Sequence, residues 1–382
     1  MRYKRNRQKL VSSLYRTVIK PVFFTLDAEA AHNFFTSFGE FLGKNASKKL
    51  VSGLLKVESP HLEQKYWEIN FPNPIGLAAG FDYNGRLSAI LPYVGFGFNT
   101  VGTVTAKPYI GNAKPRLTRL IKSRAILVNK GFKSDGAAVV AARLDKKRLE
   151  KGTIGLSVGS SNVPEVNTVE RAIDDYLETF GIFRNKPYIK YFELNISCPN
   201  TSLTEAFLEP KNLEKLLKEI AKLKIKQPIL IKMPGDVTPE RVDKLVEIGL
   251  KYGHNGYVFS NLLKNRQKSS LNSADLIKIR HNQGNISGRP TFEPSNKLIK
   301  HVRKAFGDKV IIIGCGGVFN AQDAYAKLRA GANLVQLITG MIYEGPQLIG
   351  EINRGLLEII TSKGFKSISE TSHTEQKLEQ DP

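Results

Sequence analysis

From residue 73 onward, short apolar runs and amphipathic stretches alternate along the chain. The runs read as strands: "PIGLAAG" (74–80), "FGFNTVGTVT" (96–105), "TIGLSVG" (153–159), "YFELNIS" (191–197), "PILIKMPG" (228–235), "GYVFSN" (256–261), "VIIIGCGG" (310–317) and "NLVQLITG" (333–340). Apolar positions at helical spacing predict helices over 84–92, 134–150, 168–183, 212–225, 238–252, 295–306, 321–330 and 348–361. Eight strands alternating with helices predict a (β/α)8 TIM barrel over residues 71–362, a fold that typically takes about 250 residues. A doubly wound open sheet is the alternative, and the near-uniform units favour closure.

A different pattern precedes the barrel. Leu10, Val11, Leu14, Tyr15, Val18 and Ile19 form a helical stripe, and after a break at Pro21, Asp27 can cap a second helix carrying Phe34, Phe35, Phe38, Phe41 and Leu42. Seven basic residues and no acidic one precede Pro21. Two readings of residues 1–45 stay open: helices packed on the protein's own core, or a hairpin lying on an anionic membrane surface. Neither a signal peptide nor a membrane span is expected in this region. Residues 46–70 read as a polar connector, and 363–382, polar and aperiodic, as a disordered tail.

Composition changes the picture in two places. Across 382 residues, 57 Lys+Arg against 35 Asp+Glu leave a net charge of +22, which favours anionic partners without choosing among nucleic acid, lipid and phosphorylated ligands. The 2 cysteines, Cys198 and Cys315, exclude a disulfide framework and fit a reducing compartment. No His/Cys/Asp cluster has metal spacing, and neither a P-loop nor a G-x-S-x-G elbow occurs.

In a barrel of this kind, chemistry gathers where strands end. Those ends carry Ala79, Gly80, Asp82 and Tyr83; Thr103; Ser157; Asn195, Cys198 and Asn200; Lys232; Ser260 and Asn261; Gly316 and Gly317; Thr339 and Gly340. "GCGG" and "TG" on the last two strands offer backbone N–H groups for a phosphate. Asn129, Asn195, Asn200 and Asn261 supply amides suited to a planar heterocycle with alternating carbonyl and N–H edges. Lys232 ends an apolar strand, so its ammonium is expected at the barrel mouth or paired with a structural carboxylate. Cys198, just past Asn195 and before Pro199, is a candidate base, since a thiol near positive charge accepts a proton far better than a hydroxyl does. Cys315, between glycines, reads as a small buried residue.

"LYRTVIKPVFFTLDAEAAHNFF", "NPIGLAAGFD", "VGTVTAKPYIGNAKPRLTRL", "LNISCPNT", "ILIKMPGD", "ISGRP", "IIIGCGGV" and "LVQLITGMIYEGPQLI", in that order, resemble the FMN-dependent dihydroorotate dehydrogenases of the quinone-reducing, membrane-associated class. The resemblance runs from about Tyr15 to Glu351. It implies FMN contacts at Ala79, Gly80, Tyr83, Thr103, Ser157, Asn195, Lys232, Ser260, Gly288, Gly316, Gly317, Thr339 and Gly340, and substrate contacts at Asn129, Phe132, Asn195, Asn200 and Asn261. It further implies that Cys198 takes the C5 proton of dihydroorotate while hydride leaves C6 for flavin N5. Lys232 would stabilise charge on the ring, and the electrons would pass to a quinone admitted between the N-terminal helices. A peripheral place on the cytoplasmic side of the inner membrane follows from the same resemblance, and nucleic acid is not an expected partner.

The chain departs from that family in several places. Cysteine stands at the base position where the quinone class has serine, and Tyr83 stands where the family has a lysine touching flavin and substrate. "LVNKGF" is one residue shorter than the family's spacing after Asn129, and Lys130 is a candidate to replace the missing charge. Ser157 replaces an expected asparagine, and the loop after Asn200 lacks the usual Pro-Gly. The rival readings are a tRNA dihydrouridine synthase-like reductase, which shares an Asn-x-x-Cys-Pro motif and would suit the basic charge, and a non-catalytic flavin-binding protein.

Overall fold

The computed structural model describes residues 2–44, 47–147, 149, 151–201, 203–266, 271–279 and 283–371. Eight parallel strands, Ile75–Leu77, Phe98–Val104, Thr153–Val158, Ile189–Asn195, Ile229–Lys232, Gly256–Phe259, Ile311–Cys315 and Leu334–Leu337, close into a barrel in chain order. The last pairs with the first, Leu337 opposite Leu77. The predicted TIM barrel is therefore present.

The outer helices obey the amphipathic pattern that foretold them. Val169–Phe183 starts where Thr168 Oγ1 accepts from the Arg171 N–H, and it buries Ala172, Ile173, Tyr176, Phe180 and Phe183 against the barrel. Asn320 caps Ala321–Arg329 in the same way, through the Asp323 N–H. The helix predicted over 84–92 shrinks to Leu91–Val94. Upstream of it, the buried Asp82 carboxylate accepts the N–H groups of Arg86 (2.7 Å) and Leu87 (2.9 Å) and folds that segment into a loop.

Residues 46–70 are more than a connector. They contain the helix Ser47–Leu55 and an antiparallel hairpin, Gln64–Tyr66 with Ile69–Phe71, that plugs one end of the barrel. Phe71 packs there edge-on to Phe98, within a cluster that includes Tyr191, Leu230, Val258, Ile313 and Leu334. A second sheet, Leu117–Leu120, Ala125–Val128 and Asn285–Gly288, lies in the loops at the other end. Past the helix Leu348–Ser362, Ile368 is buried and its N–H bonds the His61 carbonyl at 2.9 Å, so the predicted disordered tail begins with a docked segment; residues 372–382 lie outside the described residues.

The expected break at Pro21 is absent. Helix Arg2–Leu14 runs through a widened π turn, Tyr15–Ile19, into Lys20–Thr25. The Lys20 N–H reaches Tyr15 O across that turn, and Pro21 falls at the start of the next segment, where its missing N–H costs little. The chain turns instead at Leu26, and Asp27 Oδ1 accepts from the N–H groups of Glu29 and Ala30 to start Ala28–Lys44. One side of this helical pair is pinned to the barrel, by Tyr15 Oη donating to Ile342 O (2.7 Å), Glu29 to Arg116 and Lys133, and Glu40 to Arg86. Its other side leaves Leu10, Val18, Val22, Phe34, Phe38 and Phe41 exposed.

Candidate functional site

Two adjoining cavities open at the C-terminal ends of the barrel strands, with about 920 Å³ and about 520 Å³ of empty space. Ala79, Lys232, Asn261, Leu262, Ser287, Ile338 and Thr339 line both, so they form one cleft.

Beneath the cleft lies a buried polar layer. Glu193 Oε1 accepts from Thr100 Oγ1 (2.7 Å) and Gln336 Nε2 (2.6 Å), and Lys232 Nζ stands 3.7 Å from Glu193 Oε2. Both open readings of Lys232 therefore apply: it lines the cleft and it pairs with a carboxylate. Glu193 and Gln336 escaped the sequence reading because alternate positions on a strand face inward and nothing local marks them as polar partners.

The larger cavity gathers Cys198, Asn195, Asn200 and Asn261 with Tyr83, Thr103, Lys130 and Phe132. Asn195 Nδ2 donates to Thr103 Oγ1 (2.9 Å), while its Oδ1 accepts from Asn261 Nδ2 (3.2 Å). Asn261 also donates to Ser197 Oγ at 3.1 Å. These contacts fix the amide orientations before any ligand arrives. The Asn200 carboxamide accepts from Asn285.

Cys198 differs from the expectation of a readily ionised thiol. It is 7 % exposed, and burial pushes the thiol up to about 12, with the Asn200 N–H and the Lys232 charge opposing too weakly to offset it. Cys315 is only partly buried and lines the smaller cavity, contrary to its reading as a core residue.

Two predicted site residues stand outside the lining. Asn129 Oδ1 is taken by Asn112 Nδ2 at 2.9 Å, and Asn112 also donates to Asn200 O at 3.0 Å, so Asn129 braces the rim. Ser157 is fully buried behind Thr103, 3.0 Å from its Oγ1. The cleft instead receives Lys130, together with His32 from the helix Ala28–Lys44. The His32 ring stacks on Tyr83, with centroids 5.4 Å apart, and burial followed by the nearby Lys130, Lys133 and Arg86 charges keeps it neutral.

The smaller cavity is lined by Ser260, Gly288, Gly316, Gly317, Thr339 and Gly340. Gly316 has φ +111, and a Cβ there would sit 2.5 Å from Thr291 Oγ1; at Gly340 a Cβ would sit 1.9 Å from Val318 O. Only glycine keeps this backbone against the cavity. Ser260 Oγ is buried with no hydrogen-bond partner among the described residues, a polar atom left for a ligand.

The chain matches the model of the dihydroorotate dehydrogenase family over residues 61–360. A dihydroorotate dehydrogenase (quinone) of Trichodesmium erythraeum is 34% identical over 374 residues, 94% of this chain and 98% of that one. A dihydroorotate dehydrogenase (quinone) of Roseiflexus castenholzii is 34% identical over 95% of this chain and 97% of its own. Among solved structures, DHODH from Eimeria tenella in complex with ferulenol superposes with a TM-score of 0.81 at 28% identity, covering 94% of this chain and 99% of that one. With a closed barrel, a polar cleft at its strand ends and relatives alike over nearly their whole length, this chain belongs to the dihydroorotate dehydrogenase family.

Proposed function

We propose that this protein oxidises dihydroorotate to orotate with FMN as cofactor and passes the electrons to a quinone. The observation that carries the reading is the convergence of Cys198, three fixed asparagine amides and Lys232 in one cleft at the barrel mouth. The quinone is favoured by the relatives, which are dihydroorotate dehydrogenases (quinone).

The residues of the smaller cavity fit a flavin mononucleotide. Gly316, Gly317 and Gly340 line the smaller cavity and pack so closely on Thr291, Phe292 and Val318 that only glycine keeps their backbone there for a phosphate, and the buried Ser260 Oγ and the inward Lys232 would supply polar contacts for the ring. Ala79, Gly80, Thr103 and Asn195 would complete its bed. When bound, the flavin supplies the acceptor for the hydride from C6 and the relay to the second substrate.

The chain's own residues do the rest. Asn195, Asn200 and Asn261 would present donors and acceptors to the edges of the dihydropyrimidine ring, and the Asn195–Asn261 hydrogen bond, with Thr103, Ser197 and Asn285 holding the three amides, would fix it in one register. Cys198 Sγ takes the proton from C5. Phe132, Tyr83 and His32 cover the cleft and keep bulk water from competing for that proton. Lys232, 3.7 Å from Glu193, would hold its ammonium toward the cofactor ring and stabilise negative charge gained there.

The quinone would enter on the apolar side of the cleft, where Leu117, Ile126, Ile338 and Ile342 line it beneath the N-terminal helices. Those helices expose Leu10 (71%), Val22 (57%), Phe34 (53%), Phe38 (50%) and Phe41 (60%), beside the basic run that precedes Pro21, a surface suited to lying on an anionic bilayer. No helix among the described residues is long and apolar enough to cross a membrane. The experiment is a steady-state assay of the flavin-loaded protein with L-dihydroorotate and, in separate reactions, a short-chain ubiquinone, fumarate and NAD. Turnover with the quinone alone is expected. Turnover with fumarate or NAD but not with quinone would contradict the acceptor assignment.

A further inference from the structure

We infer that the carboxylate of the substrate is bound by Lys130, laid on the face of Tyr83. This rests on the dihydroorotate reading above and deepens it.

The backbone places the group. The turn "NKGF" after the strand Ala125–Val128 puts Gly131 (φ +65) and Phe132 (φ +63) in the left-handed region. Lys130, Gly131 and Phe132 all line the cavity that holds Cys198, while the Asn129 carboxamide is tied to Asn112 instead. Lys130 Nζ sits 4.3 Å from the centroid of the Tyr83 ring, a cation–π contact that fixes the ammonium without neutralising it.

Charge makes the second half of the case. Lys232, the other lysine set deep in the cleft, has Glu193 at 3.7 Å. Lys130 has no carboxylate within ion-pair distance among the described residues. The acidic group facing it, Glu29, already accepts from Arg116 Nη1 (3.2 Å) and Lys133 Nζ (3.0 Å). One carboxylate thus meets three cations, while His32 and Tyr83, packed against the same spot, stay neutral. The cavity wall carries an excess of positive charge that a ligand carboxylate would balance. Burial, with the charges of Lys133 and Arg116 adding to it and Glu29 opposing, lowers the free Lys130 ammonium to about 7, and an arriving anion would raise it again.

The test is isothermal titration of flavin-loaded protein with orotate, and with uracil as the ring lacking the carboxylate, for the unmodified chain, Lys130→Met and Lys130→Arg. Losing one charge-assisted contact is expected to weaken orotate binding about 10- to 100-fold in Lys130→Met, and to leave uracil binding unchanged. Orotate binding to the unmodified chain should weaken as pH rises above 7, by up to about tenfold per unit, whereas Lys130→Arg, which stays charged, should show a flat profile over the same range. The Arg profile decides alone if Lys130→Met does not fold. Equal orotate affinity in Lys130→Met, or the same pH slope in Lys130→Arg, would overturn this inference and leave the dihydroorotate reading standing. Failure of the unmodified protein to bind orotate at all would overturn both.

Discussion

The burial of Cys198 has a kinetic signature that can be worked out in advance. A thiol pushed up to about 12 is ionised to only about one part in 10⁴ at pH 8, and that fraction grows tenfold with each pH unit. A thiol at its ordinary value of about 8.5 would be about one-quarter ionised at that pH and would level off above 9. Proton removal by Cys198 therefore predicts that the rate of flavin reduction by dihydroorotate rises about tenfold per unit from pH 7 to pH 9, with no plateau. The assay is anaerobic stopped flow at saturating substrate, so that the titration of Lys130, which acts on binding, drops out. Cys198→Ala should lower the rate by about 10²- to 10⁴-fold and flatten the profile. A plateau near pH 8.5 in the unmodified enzyme would refute the argument from burial. An unchanged profile in Cys198→Ala would refute the role of the thiol itself.

Other residues give equally direct tests. Glu29→Gln should destabilise the fold by about 2–4 kcal/mol, read from urea denaturation, because Arg116 and Lys133 lose their buried partner. Burial alone would raise the Glu29 carboxyl, but Lys133, Arg116 and Lys130 outweigh it and hold it low. Its contribution should therefore be fully present above about pH 4.3 and fade as pH falls through the depressed native value; a gap between variant and parent that persisted undiminished in strong acid would contradict this. Gly340→Ala should destabilise the fold and lower flavin content together, since the new Cβ meets the Val318 carbonyl at 1.9 Å and must displace the backbone lining the smaller cavity; full flavin occupancy in a folded variant would show the cradle to be elsewhere. Replacing Phe34, Phe38 and Phe41 by Ser should abolish flotation with anionic vesicles while leaving flavin reduction by dihydroorotate intact, and retained flotation would assign the membrane contact to another surface.

The sequence was most readable where one residue's environment follows from periodicity. All eight barrel strands and most outer helices lie where apolar spacing put them, because burial on one face or both dictates residue type there. Legibility failed where a single long-range contact overrides local pattern. The carboxylate of Asp82 unwinds a helical-looking stretch, and a π turn carries the first helix past Pro21. The four-residue strands of the sheet at the barrel mouth are too short for any periodicity to show. The site divides along the same line. Residues at strand ends, such as Asn195, Cys198 and Lys232, could be placed by counting from the strand. His32 comes from a helix that the chain left long before the barrel began, and Glu193 becomes a partner of Lys232 only through barrel closure. Lys130 was visible as a nearby cation, but its seat on Tyr83 and the diversion of Asn129 to Asn112 need three loops brought together.

The central claim is that this cleft oxidises dihydroorotate although Tyr83 stands on its wall. An anaerobic titration of the purified, flavin-loaded protein with L-dihydroorotate, followed by flavin absorbance, tests it most directly. Stoichiometric bleaching is expected, complete before any quinone is added, with the colour restored by quinone. A flavin that binds tightly and stays yellow at excess dihydroorotate would contradict it.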